Sequence, residues 1–112
     1  MALRAPIRMP VQLSGDGRWF RPSEDVGQDG LLLGAAAPDE LSGSTPIGIF
    51  FHLPGDAVPI TCRGRIHEVL LTRNDGDREF TVAERRELEF LDLDETGRAR
   101  IEDYVTERLG IV

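Results

Sequence analysis

Alternation of apolar and polar residues is the first signal along the chain. From Pro46 to Leu53, Ile47, Ile49, Phe51 and Leu53 fall on every second position. Successive strand side chains point to opposite faces, so this spacing predicts a strand with one buried face. From Pro59 to Leu71, Ile60, Cys62, Gly64 and Ile66 take one side, and Thr61, Arg63, Arg65 and His67 take the other. The alternation breaks near Glu68–Leu71, where a bulge fits. Shorter strands are expected over Val11–Leu13 and Arg18–Arg21, joined by the turn signal Ser14-Gly15-Asp16-Gly17. Leu31–Ala35 is a short apolar run, and Ala36–Ser44 reads as a loop. Pro54-Gly55-Asp56 reads as a turn and Asn74-Asp75-Gly76 as a hairpin.

Residues 79–93 carry two conflicting patterns. Thr81 and Glu84 have the spacing of a capping box, which would start a helix. Leu88 and Phe90, followed by LDLD, alternate like a strand, and a strand over 87–92 is the favoured reading. From Thr96 to Leu109, Ile101, Tyr104, Val105 and Leu109 recur at helical spacing, with Gly110 as a stop. Residues 1–10 hold Pro6 and Pro10, show no periodicity, and read as an extended arm. The whole predicts a mainly β chain: a small six-stranded antiparallel β-barrel with a C-terminal α-helix. Residues 1–10 form its arm and residues 11–112 a single domain.

Charge narrows the partners. The formal net charge of −7 argues against general nucleic-acid binding. The distribution is uneven, with Arg4, Arg8, Arg18 and Arg21 against Asp16 alone in residues 1–22. All 13 basic residues are arginine, which grips phosphate and stacks on flat rings better than lysine does. No apolar run reaches the length of a membrane span, and the start lacks the apolar core of a secretory signal. The one cysteine, Cys62, excludes an intrachain disulfide and fits a reducing compartment. A cytoplasmic protein is expected.

Catalytic chemistry is thin. His52, His67 and Cys62 have no familiar metal-ligand spacing, so no metal site is expected. Cys62 falls on an apolar face, as a small core residue does. There is no nucleophile elbow, phosphate-binding loop or zinc-protease motif. The acidic groups Asp92/Asp94/Glu95 and Glu102/Asp103 suit a helix entrance and a solvated face. An enzyme is not expected.

One ordered combination remains. Arg4 and Arg8 stand in LRAPIRMPV, ahead of a strand, and DVGQDG at 25–30 precedes a leucine run. TCRGRIHEV follows centrally, and EFLDLD leads to the last helix. This order resembles the PilZ domain, with its RxxxR arm and its [D/N]xSxxG loop. The resemblance covers nearly the whole chain. It implies an antiparallel barrel that binds the bacterial messenger cyclic di-GMP and signals to a protein partner in motility, pilus or surface behaviour.

The implied ligand residues are Arg4, Arg8, Asp25, Gly27 and Gly30. The ligand is a dianion with two flat guanines. Arginines suit its phosphates, its acceptor edges and its rings, and Asp25 suits a guanine N–H. Gly30 would admit a tight turn and a close approach of the ligand. The arm is expected to order on binding. Arg18 and Arg21 read as exposed strand positions outside the site.

Two positions depart from the family pattern. Gly27 stands where the family has serine, and Glu87 where it often has glycine. A lost hydrogen bond to a charged group, about 1.5–3 kcal/mol, corresponds to roughly tenfold to a hundredfold in affinity. A carboxylate at Glu87 facing the site would repel a dianion. The alternative implied by these departures is a PilZ-like adaptor that binds no nucleotide and works through protein contacts alone.

Overall fold

The computed structural model describes residues 3–15, 17–34 and 46–110. Eight strands precede one helix: β1 (Arg4–Pro6), β2 (Pro10–Ser14), β3 (Arg18–Pro22), β4 (Asp25–Gly27), β5 (Gly30–Leu33), β6 (Ile47–Phe51), β7 (Ile60–Asp75), β8 (Arg78–Phe90) and α1 (Glu95–Leu109). Six of the strands form an antiparallel sheet in the order β3-β2-β6-β7-β8-β5. The sheet curls until its edges meet. Gly34 N–H donates to Pro22 O and Glu24 N–H to Leu32 O, each at 2.7 Å, around a single bridge between Ser23 and Leu33. The expected six-stranded barrel is therefore present, joined along this seam by a few bonds rather than a long ladder.

The alternation places the core as predicted. Ile47, Ile49, Phe51 and Leu53 are all buried, as are Ile60 and Ile66. Val11, Leu13, Leu31, Leu33 and Leu88 fill the barrel from the other strands. Phe51 stacks on Phe90 with ring centroids 5.9 Å apart. The register between β7 and β8 shifts between Leu71 and Thr72, and the extra residue is Val82 on β8, so Glu68–Leu71 stay in regular pairing and carry no bulge. The hairpin turns one residue later than the Asn-Asp-Gly signal suggested. Asp75 pairs with Arg78, leaving Gly76-Asp77 as the loop, and Gly76 takes φ 66° at its first position. That left-handed conformation is what a two-residue hairpin loop asks of glycine.

The capping-box spacing at Thr81 and Glu84 starts no helix, because β8 runs unbroken through both positions. Pairing with β7 supplies their backbone partners, and the strand begins well before residue 87. Ala35 and the loop at 36–44 lie outside the described residues. At the C-terminal end, Asp94 caps α1 by accepting from Gly97 N–H at 2.6 Å. Gly110 ends it at φ 71°. Ile101 and Val105 bury the face of α1 that packs on β1 and β4. No helix among the described residues is long and apolar enough to cross a membrane.

Candidate functional site

The arm is part of the fold. β1 pairs antiparallel with β4, with Arg4 opposite Gly27, Ala5 opposite Val26 and Pro6 opposite Asp25. Ile7 N–H then donates to Glu24 O at 3.0 Å, and Ser23 N–H to Met9 O at 2.9 Å. The Ser23 side chain completes the clamp. Its hydroxyl donates to Ile7 O at 2.7 Å and accepts from Met9 N–H at 3.2 Å. Ser23 is wholly buried, and Ala5 and Met9 are buried beside it. The arm, read as extended and expected to order on binding, is already paired with residues 23–27. Proline-rich sequence hid a strand too short to show periodicity, and the bonds that fix it come from residues 23–27.

Arg4 ends this strand among acids. Its guanidinium donates to Asp29 Oδ1 at 3.3 Å, to Asp25 Oδ1 at 3.5 Å and to Glu87. Burial alone would lower the Arg4 pKa. The hydrogen bond to Asp29, the charges of Asp25 and Asp29 and the hydrogen bond to Glu87 outweigh it and hold the group above its ordinary value. Asp25 is also bound to the scaffold, because its Oδ1 accepts from Leu32 N–H at 2.9 Å. Burial pushes the Asp25 carboxyl above its usual range. Leu32 N–H and Arg4 pull it back, and Glu87 and Asp29 add to the rise. Asp25 therefore anchors the loop to β5 and the arm to the loop at once.

The two glycines are enclosed by the protein itself. A Cβ on Gly27 would lie 2.6 Å from Leu3 O and 2.8 Å from Arg4 Cγ. A Cβ on Gly30 would overlap the Leu88 carbonyl of β8. Gly30 pairs with Glu89 in a strand and its φ is not left-handed, so the requirement is space rather than a turn. The close approach at Gly27 is made by β1 and at Gly30 by β8.

Arg8 joins none of these contacts. It is exposed and lines a groove of about 290 Å³ with Met9, Pro10, Phe20, Arg21 and Pro22. The structure thus brings Arg4, Asp25, Gly27 and Glu87 together, adds Asp29, and puts Arg8 further along the same arm. Four residue steps of extended chain from Arg4 to Arg8 span roughly 13 Å. Asp29, Ser23 and Phe20 carried no motif, and their proximity to the arm depends on pairings the sequence does not print.

The other titratable side chains have local roles. His67 Nε2 lies 3.3 Å from Glu89 Oε1, and His52 stands edge-on to Phe50 with centroids 5.4 Å apart. Burial, then Asp92 and Asp94, push the Cys62 thiol up to about 12. Among the described residues, no group of three or more His, Cys, Asp or Glu side chains is arranged to hold a metal ion.

No protein-family profile matches the chain, and no curated protein matches it significantly. Solved structures do. The inhibitor of motility MotI/DgrA of Bacillus subtilis superposes with a TM-score of 0.73 at 14% identity, over 97% of this chain. This chain spans 50% of that protein. The PilZ domain of YcgR from Escherichia coli, solved with c-di-GMP, superposes with a TM-score of 0.67 at 17% identity. The match covers 98% of this chain and 89% of that one.

Proposed function

From the PilZ-like fold that this chain adopts, we propose that it is a regulatory module, not an enzyme, which binds cyclic di-GMP and passes the bound state to a protein partner. Motility, pilus function and surface behaviour are the processes in view, and the cytoplasm is the compartment that holds the messenger. The observation that carries the reading is the docking of the arm. Arg4 and Arg8 lie on a segment that runs antiparallel along residues 22–27, so arm and loop present one continuous surface. Arg4, Arg8 and Asp25 lie along it, and Gly27 and Gly30, both buried, let β1 and β8 approach beneath it. The ligand seen in the YcgR PilZ domain supports the choice of messenger.

Without ligand, Arg4 is satisfied by carboxylates. An anion that takes the guanidinium must compete with Asp25, Asp29 and Glu87, each already in hydrogen-bonding contact. Binding then exchanges one set of charge-assisted bonds for another, and the arm moves relative to β4. That movement would alter the face that β1 and β4 share with α1, which is the surface a partner protein would read.

The second reading, an adaptor that binds no nucleotide, draws on the same cluster. Three carboxylates around one arginine oppose a dianion, and β1 fills the space beside Gly27. Calorimetric titration with cyclic di-GMP separates the two. Heat that saturates for the wild type and disappears in Arg8→Ala supports the receptor. No heat for the wild type leaves the adaptor.

A further inference from the structure

The β7–β8 hairpin outruns the rest of the sheet. β6 covers β7 only as far as Gly64, and β5 covers β8 only from Arg86. Residues 65–75 and 78–85 continue past these neighbours, and among the described residues no third strand joins their outer edges. A two-stranded ribbon is marginally stable in water, and each outer edge presents a row of N–H and C=O groups that a further strand can pair.

The two edges differ. β8 is interrupted by its extra residue, Val82, and holds charged positions at Arg78, Glu79, Glu84 and Arg85. A bulge and charged positions are devices by which natural sheets keep an edge from pairing. β7 runs without an inserted residue, and its middle, Val69-Leu70-Leu71-Thr72, holds no charge, glycine or proline. There the apolar–polar alternation stops while the pairing continues, so apolar positions fall on both faces of the strand. β7 is the edge left open.

The sequence of that edge complements itself. Two copies related by a two-fold axis pair antiparallel, each contact occurring twice. With the axis at Leu70, Leu70 lies opposite Leu70, Val69 opposite Leu71, Glu68 opposite Thr72 and Arg65 opposite Asp75. Apolar positions facing each other and opposite charges facing each other are the favourable cross-strand pairs, and like charges are unfavourable. An axis at Glu68 sets two carboxylates opposite each other, and one at Val69 sets Arg65 opposite Arg73. An axis at Leu71 sets Val69 opposite Arg73 and Leu70 opposite Thr72. The Leu70 register alone among these keeps Val69, Leu70 and Leu71 opposite apolar residues with no like charges opposed.

We propose that β7 is a homodimer edge. Two copies of this chain join antiparallel through residues 65–75 with the two-fold axis at Leu70, and their hairpins form one sheet in the order β8-β7-β7-β8. Four strands pass the minimum of three that an independently stable sheet needs. The pairing does not depend on whether the chain binds a nucleotide.

The test is sedimentation equilibrium of the wild type, Leu70→Lys and Leu70→Glu, and of the two variants mixed, all without nucleotide. The wild type should become dimeric as its concentration rises. Each variant alone sets like charges against each other at the axis and should stay monomeric where the wild type is dimeric. The equimolar mixture sets opposite charges there and should recover the dimer, which a folding defect in either variant would not produce. Amide exchange of the wild type needs no variant, and protection over residues 66–74 should rise with protein concentration. A wild type that stays monomeric at every concentration, with exchange over these residues independent of concentration, overturns the proposal. So does a dimer that both Leu70 variants retain, or a mixture that stays monomeric although both variants melt like the wild type.

Discussion

Gly27 lies directly under Leu3: a Cβ on the glycine would be 2.6 Å from the Leu3 carbonyl oxygen. The absent hydroxyl that the family comparison draws attention to is therefore an absence with a packing cause. A strand of the same chain occupies the space.

Gly27→Ser follows from this contact. Restoring the motif serine should not simply restore a ligand bond, because its Cβ meets backbone at Leu3 and the stem of Arg4. Overpacking of this kind costs about 1–3 kcal/mol. The expected result is a melting temperature lower by several degrees, with faster amide exchange at Ala5, which pairs within β1 and β4. Unchanged exchange would show that the arm accommodates the side chain. Gly30→Ala should be worse than Gly27→Ala, since the atom it meets is the Leu88 carbonyl inside the β5–β8 ladder.

Glu87→Gln addresses the Arg4 cluster. It keeps a hydrogen-bond acceptor near Arg4 and removes one of the negative charges there. Partly exposed ion pairs contribute about 0.2–1 kcal/mol, so the loss of stability should be small. Affinity for cyclic di-GMP should rise severalfold, read by calorimetry at fixed salt. A fall in affinity would mean that Glu87 itself contacts the ligand.

Asp25 sets the sign of one pH dependence. Its carboxyl is raised above the ordinary value, chiefly by burial. The proton is then held more tightly in the folded state than in the unfolded state. The associated stability is fully present below the unfolded pKa and is lost as pH rises through the folded pKa. Asp25→Asn, which can still accept from Leu32 N–H, should gain stability relative to the wild type as pH rises from about 3.5 to 7. Denaturant melts at a series of pH values read the difference. A trend in the opposite direction would mean that Arg4 outweighs burial. Asp56 and Asp92 run the other way. Arg100 first, with Val58 N–H, lowers Asp56, and Arg63 lowers Asp92. Their contributions are present above the unfolded pKa and are lost as pH falls through the folded one.

Cys62 should be slow to react. With its pKa near 12 rather than 9.0, its thiolate fraction at pH 8 falls by about a thousandfold. Alkylation of the folded protein should lag behind that of the urea-unfolded chain by a comparable factor. Equal rates would place the thiol in solvent.

The parts of the fold that were legible in the sequence are those where one face is buried along several residues. Ile47 to Leu53 shows this, and so do Ile60 to Ile66, since a slip of one residue would turn every apolar side chain outward. The helix was legible from Ile101 and Val105 and from the glycine that ends it. β1 and β4 were not, because three residues are too few to carry a period. The Ser23 hydroxyl holds the chain just beyond β1, and β1 and β4 both pack against α1. The site was half legible. Arg4, Asp25 and Gly27 do converge, but Asp29 and Glu87 reach Arg4 only through the β1–β4 and β5–β8 registers. Arg21 read as an exposed strand position, and the antiparallel docking of the arm puts Arg8 in one groove with Phe20 and Arg21.

Amide chemical shifts during titration with cyclic di-GMP test the central claim most directly. The receptor account predicts saturable shifts at Arg4, Arg8 and residues 25–30, with little change at the Gly76 turn. Absence of any shift at ligand concentrations well above the protein, or shifts confined to the far end of the β7–β8 hairpin, would contradict it.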